Sequence, residues 1–329
     1  MITLIYSILH MFVDGICAFV MFGKFVTGSS GYEIFLIYNF CAFALQMPLG
    51  AMLDLFNIKR KMITNICAIL GVVLTTLGAW IHPVILGVGN ALFHVGAGVG
   101  VIHEDEKKCL NGQAFGIFVA PGAWGLYLGT QLTKNGISGV QILLTCVLVA
   151  TLIFLTRQKI YIAVEETITS ARISLLVSCF AVVVLRSYVG MTVSFPWKTT
   201  VIAGCLSVFA VVLGKITGGI FAARIGTKIT IIASLIMASI CYFFSSNMIM
   251  GILALFLFNM TMPITLYLLV KCWKELPGFI FGLLTFGLFL GFLPVYYGVQ
   301  VPVTGQIIGT MGSLLSLLFL FVGNGWWKK

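Results

Sequence analysis

The sequence predicts an all-α integral membrane protein: twelve transmembrane helices in two pseudo-symmetric six-helix bundles. Three observations predict it. The 329 residues are 60% hydrophobic and only 9% charged, with a mean hydropathy of +1.12, more than a soluble core requires. The apolar residues gather into runs of about 20, the length of helix that spans hydrocarbon. The strict alternation of a membrane β-barrel is absent.

In chain order, spans are predicted at 2–24, 34–53, 62–80, 83–102, 113–131, 137–156, 173–194, 200–222, 229–246, 248–270, 279–298 and 301–322. The first run begins at Ile2 with no basic region before it, contains His10 and Asp14, and lacks a small-residue cleavage site, so it reads as a retained helix rather than a signal peptide. The second ends in GAMLDLFNIKRK, 50–61, whose basic residues mark a turn back. The fourth carries Asn90 and His94, and the fifth carries Pro121-Gly122. The seventh contains Arg186, the eighth Lys215, and the tenth Asn259 and Pro263. After the last span, Trp326, Trp327, Lys328 and Lys329 form an interfacial anchor. Connections are too short for an extramembrane domain.

The net charge of +10 is a topology signal rather than a nucleic-acid footprint. With the amino terminus cytoplasmic, the inner side holds Lys59, Arg60, Lys61, Lys107, Lys108, Arg157, Lys159, Arg172, Arg224, Lys228, Lys271, Lys274, Lys328 and Lys329, against Lys24, Lys134 and Lys198 outside. The positive-inside rule then puts both termini in the cytoplasm. The nine cysteines have no metal-finger or CxxC spacing, so no disulfide framework is implied.

The longest hydrophilic stretch, RQKIYIAVEETITSAR over 157–172, divides the chain into an amino-terminal bundle, 1–156, a cytoplasmic linker, 157–172, and a carboxy-terminal bundle, 173–329. The halves echo each other. GIFAARIGTK over 219–228 follows the eighth span as 50–61 follows the second, and NALFH over 90–94 is matched more weakly by NMTMP over 259–263. Parallel repeats of this kind belong to architectures in which two halves rock about a midplane site. Glycine pairs at 112/116, 125/129, 214/218, 287/291 and 305/309 let helix backbones approach closely, and the same smooth faces allow sliding. Pro121-Gly122 and Pro263 are candidate hinges.

Stretch 50–61 resembles the loop signature of the major facilitator superfamily between its second and third helices, with Ala223 standing in the second copy where Asp54 stands in the first. HMFVD at 10–14, GNALFH at 89–94, GIFVAPG at 116–122, LRS at 185–187 and ELPG at 275–278 resemble, more narrowly, the fosmidomycin-resistance-type branch of bacterial efflux proteins. The resemblance implies secondary transport from a bacterial cytoplasmic membrane. It also implies a cytoplasmic gate built from Asp54, Lys59, Arg60, Lys61, Arg224 and Lys215. One departure is that the fourth helix lacks the Arg of many drug–proton antiporters; His94 is its nearest ionisable group.

Five ionisable residues lie deep in the spans: His10, Asp14, His94, Arg186 and Lys215. Such residues usually face a bundle interior or a water-filled path. His10 and Asp14, four apart, share a helix face, and Cys17 follows on much the same face. Asp14 lies about 18 Å into its span, near mid-bilayer, and Arg186 lies at nearly the same depth of the equivalent helix. They are expected to form an ion pair or two sides of one polar site. Asp14, with His10 and His94, is the candidate proton-coupling set. Arg186, with Asn90 and Asn259, is the candidate substrate-binding set, because a guanidinium grips oxyanions in a bidentate way. Lys215 is read either as a snorkelling side chain or as part of an inner cation ring. The run His103 to Lys108 is expected to be a solvated loop.

The expected function is proton-coupled efflux of a small polar or anionic organic compound by alternating access. The expected partners are that substrate, protons and the lipid bilayer, with no nucleic acid and no cofactor, and the expected working form is a monomer. Uptake by proton symport uses the same parts. A divalent transition-metal transporter is a further alternative, with His10, Asp14, Cys17 and His94 as mixed ligands. No HExxH, GxSxG or nucleotide-binding Gly-rich motif points to an enzyme or an ATP-driven pump.

Overall fold

The computed structural model describes residues 2–26, 31–57, 63–134, 147, 148, 151, 173–299 and 301–326, and among them it contains helices and no strand. The predicted sixth span apart from residues 147, 148 and 151, the linker 157–172, Lys59, Arg60, Lys61 and Trp327 to Lys329 lie outside the described residues. The helices are α1 (Ile2–Val20), α2 (Gly31–Asn39), α3 (Gln46–Asn57), α4 (Ile63–Ile81), α5 (Pro83–Lys107), α6 (Gln113–Lys134), α7 (Ile173–Thr192), α8 (Val201–Ile225), α9 (Thr227–Phe243), α10 (Met248–Asn259), α11 (Thr261–Cys272), α12 (Pro277–Tyr296) and α13 (Gly305–Gly323). Single π-helical turns prolong α1 over Met21–Phe25 and join α2 to α3 over Phe40–Ala44. Among the described residues, nine helical rods are long and apolar enough to cross a membrane, and α6 and α9 fall on two further predicted spans. The protein is an all-α integral membrane protein.

The chain divides into two compact units. The first comprises Met1–Cys109, Ile117–Thr167 and Glu275–Phe286; the second comprises Leu110–Gly116, Ile168–Lys274 and Gly287–Lys329.

In the first unit, α5 is the central rod, buried on nearly every side. It starts abruptly because His82 accepts the Val84 N–H on Nδ1 at 3.2 Å, and Pro83 supplies a pre-set first turn with no N–H to satisfy. Glycines seven apart on each helix bring α4 against it. A side chain at Gly71 or Gly78 would strike the backbone of Phe93 or Leu86, and one at Gly89 or Gly96 the backbone of Thr75 or Ala68. The α1–α6 crossing is made in the same way, with Gly15 against Gly125 and Gly129 against the Gly15 carbonyl. This is the close packing expected of the 125/129 pair. Lys24 donates to the Ala79 and Trp80 carbonyls at the end of α4, at 3.1 and 2.9 Å.

The expectation of a solvated loop at 103–108 is corrected. These residues form the last turn of α5 and Lys108 after it, and Glu104 and Asp105 are buried. Glu104 accepts the Thr3 N–H and hydroxyl at 2.6 and 2.5 Å, which ties the start of α1 to the end of α5. Lys108 donates to its other oxygen at 2.6 Å, and this partner raises the Lys108 ammonium above the ordinary lysine value. A charged run reads as solvated when its helical partners are 101 residues away in sequence.

In the second unit, Gly214 and Gly218 of α8 admit the Phe256 and Met260 carbonyls, Gly291 of α12 admits the Val184 carbonyl, and Gly309 of α13 seats the Tyr242 ring. Phe195, Trp197 and Tyr242 stack, and Trp197 Nε1 donates to the Ser245 carbonyl at 3.0 Å. Gly226, at φ +93°, makes the tight turn from α8 to α9 that the echoed motif anticipates.

Candidate functional site

α1, α5 and α6 converge on one carboxylate. His10 and Asp14 project from the same face of α1, one turn apart, with His10 Nε2 at 3.1 Å from Asp14 Oδ2. α5 brings Asn90 and His94, also one turn apart. Asn90 Nδ2 donates to Asp14 Oδ1 at 3.2 Å, and His94 Nε2 lies 3.5 Å from the same oxygen. The two imidazoles meet edge to face with centroids 4.5 Å apart. All four side chains are buried. Asn90 Nδ2 also lies 3.5 Å from Cys17 Sγ.

The far sides of the rings fix their chemistry. His10 Nδ1 lies 2.8 Å from the Phe118 carbonyl of α6, and His94 Nδ1 lies 2.8 Å from the Asn90 carbonyl. A carbonyl only accepts, so each Nδ1 must carry the hydrogen. In a neutral ring Nε2 is then a bare lone pair, and both Nε2 atoms face a carboxylate that, when ionised, only accepts as well. Without an added positive charge these contacts set acceptor against acceptor. One proton shared between His10 and Asp14 turns the shorter contact into a charge-assisted hydrogen bond. A metal ion would answer the same need, since one ligand atom from each of His10, Asp14 and His94 lies within 4.8 Å of the others. Backbone carbonyls behind both rings would orient such ligands.

α6 closes the third side. A methyl at Gly122 would lie 2.5 Å from Asp14 Oδ2 and would strike His10 Nε2. At the candidate hinge Pro121-Gly122, α6 runs through Pro121 unbroken, and the lack of a side chain at Gly122 is what leaves room for the triad. The Phe118 carbonyl went unseen for lack of any side-chain signature. Gly122→Ala is expected to cost about 1–3 kcal/mol by overpacking, read by thermal unfolding in detergent. An unchanged midpoint would show that the triad yields without strain.

Arg186 belongs to the second unit. It is 6% exposed, and Nη2 donates to Thr261 Oγ1 at 2.8 Å. Within the first unit two imidazoles and an amide surround the Asp14 carboxylate, and within the second unit Thr261 holds Arg186. Asn90, grouped with the substrate residues by sequence, sits in the Asp14 cluster. Asn259 donates its amide to the Leu255 carbonyl at 2.8 Å, at the end of α10. Lys215 is buried in α8, and Arg224 is exposed in the last turn of that helix.

Asp54 is buried near the end of α3, and its two oxygens accept the Gly278 and Phe279 N–H groups at 2.8 and 2.7 Å. It caps the first turn of α12 inside the first unit. Gly50, one turn earlier, makes room for the Gly278 carbonyl.

No protein-family model and no curated relative matches the chain. Solved structures do match over nearly its whole length. The fucose:proton symporter FucP of E. coli, as a single-residue variant, is 12% identical with a TM-score of 0.64, covering 98% of this chain and 98% of that one. FucP in the outward conformation gives 12% identity and a TM-score of 0.58, covering 97% and 99%. A bacterial homologue of the iron transporter ferroportin gives 11% identity and a TM-score of 0.64, covering 99% and 100%. The fold is that of the major facilitator superfamily. At these identities the likeness is one of fold, and the narrower resemblance to the fosmidomycin-resistance type rests on the short motifs alone.

Proposed function

We propose that this protein is a proton-coupled secondary transporter that exports a small polar or anionic organic compound by alternating access. The observation that carries this reading is the triad of Asp14 with two tautomerically fixed imidazoles, which is attractive only when it holds a proton. Asp14, His10 and His94 are its proton-coupling residues, with Asn90 holding the carboxylate in place. Arg186 is the substrate-binding base, and the capping carboxylate of Asp54 is the cytoplasmic latch. The working halves are 1–156 and 173–329, joined by 157–172, in a monomer seated in a bacterial cytoplasmic membrane with both termini inside. Export follows from the resemblance to the fosmidomycin-resistance type. Proton-coupled uptake would use the same residues.

The test is a substrate panel on reconstituted vesicles carrying a pH dye and an imposed pH gradient. At least one small polar or anionic compound is expected to dissipate the gradient in a protein-dependent way. If substrate moves with no accompanying pH change, proton coupling is ruled out.

The spacing of the His10, Asp14 and His94 ligand atoms favours one second reading, in which the cargo is a divalent transition-metal ion. A metal indicator inside the same vesicles separates the two readings. Entry of Mn²⁺ or Co²⁺ that is lost on replacing both histidines would favour the metal.

A further inference from the structure

Arg186 is a buried cation of the second unit. A guanidinium in a membrane span is unfavourable unless its charge and its hydrogens are matched. Thr261 Oγ1 is its hydrogen-bond partner among the described residues, and Nε and Nη1 have none. Three of its five N–H groups are therefore buried without an acceptor.

Thr261 opens α11 directly after Met260, whose backbone is itself helical, so that α10 and α11 run on as one rod, Met248–Cys272. The hydroxyl donates to the Phe258 carbonyl at 3.0 Å and so can only accept from Arg186. The guanidinium is thereby anchored against that rod at Thr261. A buried cation with three unmatched N–H groups remains, and an anion is the species that would satisfy it.

Resting on the transport reading above, we infer that Arg186, anchored by Thr261, forms a binding site for an oxyanion group, carboxylate or phosphate-like, on the transported compound. Thr261 holds the guanidinium in register, and the free N–H groups take the oxygens. Arg suits this task better than Lys, because its planar fork presents several fixed donors to oxygen.

The test is equilibrium binding to the intact protein in detergent, by thermal shift with acetate and with inorganic phosphate against chloride at matched ionic strength. The two probes distinguish a carboxylate from a phosphate-like preference. At least one is expected to stabilise the wild type beyond chloride. The apparent affinity should fall by more than about tenfold in Arg186→Gln. Thr261→Val keeps the charge but frees the guanidinium, and should weaken binding by up to about tenfold; it serves where Arg186→Gln fails to fold. The inference is overturned if neither oxyanion surpasses chloride, or if both variants bind as the wild type does. Asp14→Asn is expected to keep oxyanion binding, since the assay imposes no proton gradient. Failure of the anion site and failure of the proton site are therefore separate results.

Discussion

Asp14→Asn is expected to abolish substrate-driven proton movement while leaving the protein folded and able to exchange substrate. The reason lies in what an amide supplies. In the native triad, His10 Nε2 and His94 Nε2 face Asp14 at 3.1 and 3.5 Å, and with both Nδ1 hydrogens committed to carbonyls nothing remains to donate. Asparagine keeps the shape and brings two N–H donors of its own. It satisfies a neutral imidazole without a proton, so the site no longer gains by binding one. The fold should hold, because buried acceptors acquire donors rather than lose them. Two measurements on the same vesicles check this: dye-reported proton flux should drop to background, and tracer counterflow, which needs no net proton, should persist. Wild-type coupling in Asp14→Asn would remove Asp14 from the proton path. Of the histidines, His10→Gln should impair coupling more than His94→Gln, because the His10 contact is the shorter and its ring also ties α1 to α6 through the Phe118 carbonyl.

The parts of this site differ in how far the sequence revealed them. His10 with Asp14, and Asn90 with His94, are each i and i+4 on one helix, so each pair is readable from helical periodicity alone. The glycine pair 125/129 pointed to a close helix crossing, and it is the crossing that sets α6 beside the triad. What periodicity cannot reveal is the partner across a crossing. Depth in a span fixes only one coordinate of a side chain, and rotation of each helix about its axis decides the rest. Arg186 bonds Thr261, 75 residues away, and Asp54 caps a helix 224 residues away. Neither contact leaves a local pattern. The Glu104 run misled for a related reason: its charge density matches a loop, and only the start of α1, folded back beside it, makes burial tolerable.

Asp54→Ala is expected to destabilise the protein by about 2–4 kcal/mol, with Asp54→Asn losing roughly half as much. The first N–H groups of a helix have no partner within it, and in α12 the series begins with Pro277, which has no N–H, followed by Gly278 and Phe279, whose hydrogens both end on Asp54. Alanine strands two donors, one of them in a fully buried bond, and removes a negative charge from the positive end of the helix dipole. Asparagine retains one acceptor oxygen but sets an amide N–H₂ against the second backbone N–H, so it restores about half of the cap. Water cannot easily repair the loss, because Asp54 is 4% exposed and the Gly50 backbone closes on Gly278 from below. Thermal unfolding in detergent should order the variants wild type, Asn, Ala. The ordering also tests the latch: an interaction that must break in each transport cycle has to be worth a few kcal/mol in one state and nothing in the other, so a stability loss within about 0.5 kcal/mol, the range of an ordinary surface change, would leave Asp54 too weak to hold any state closed.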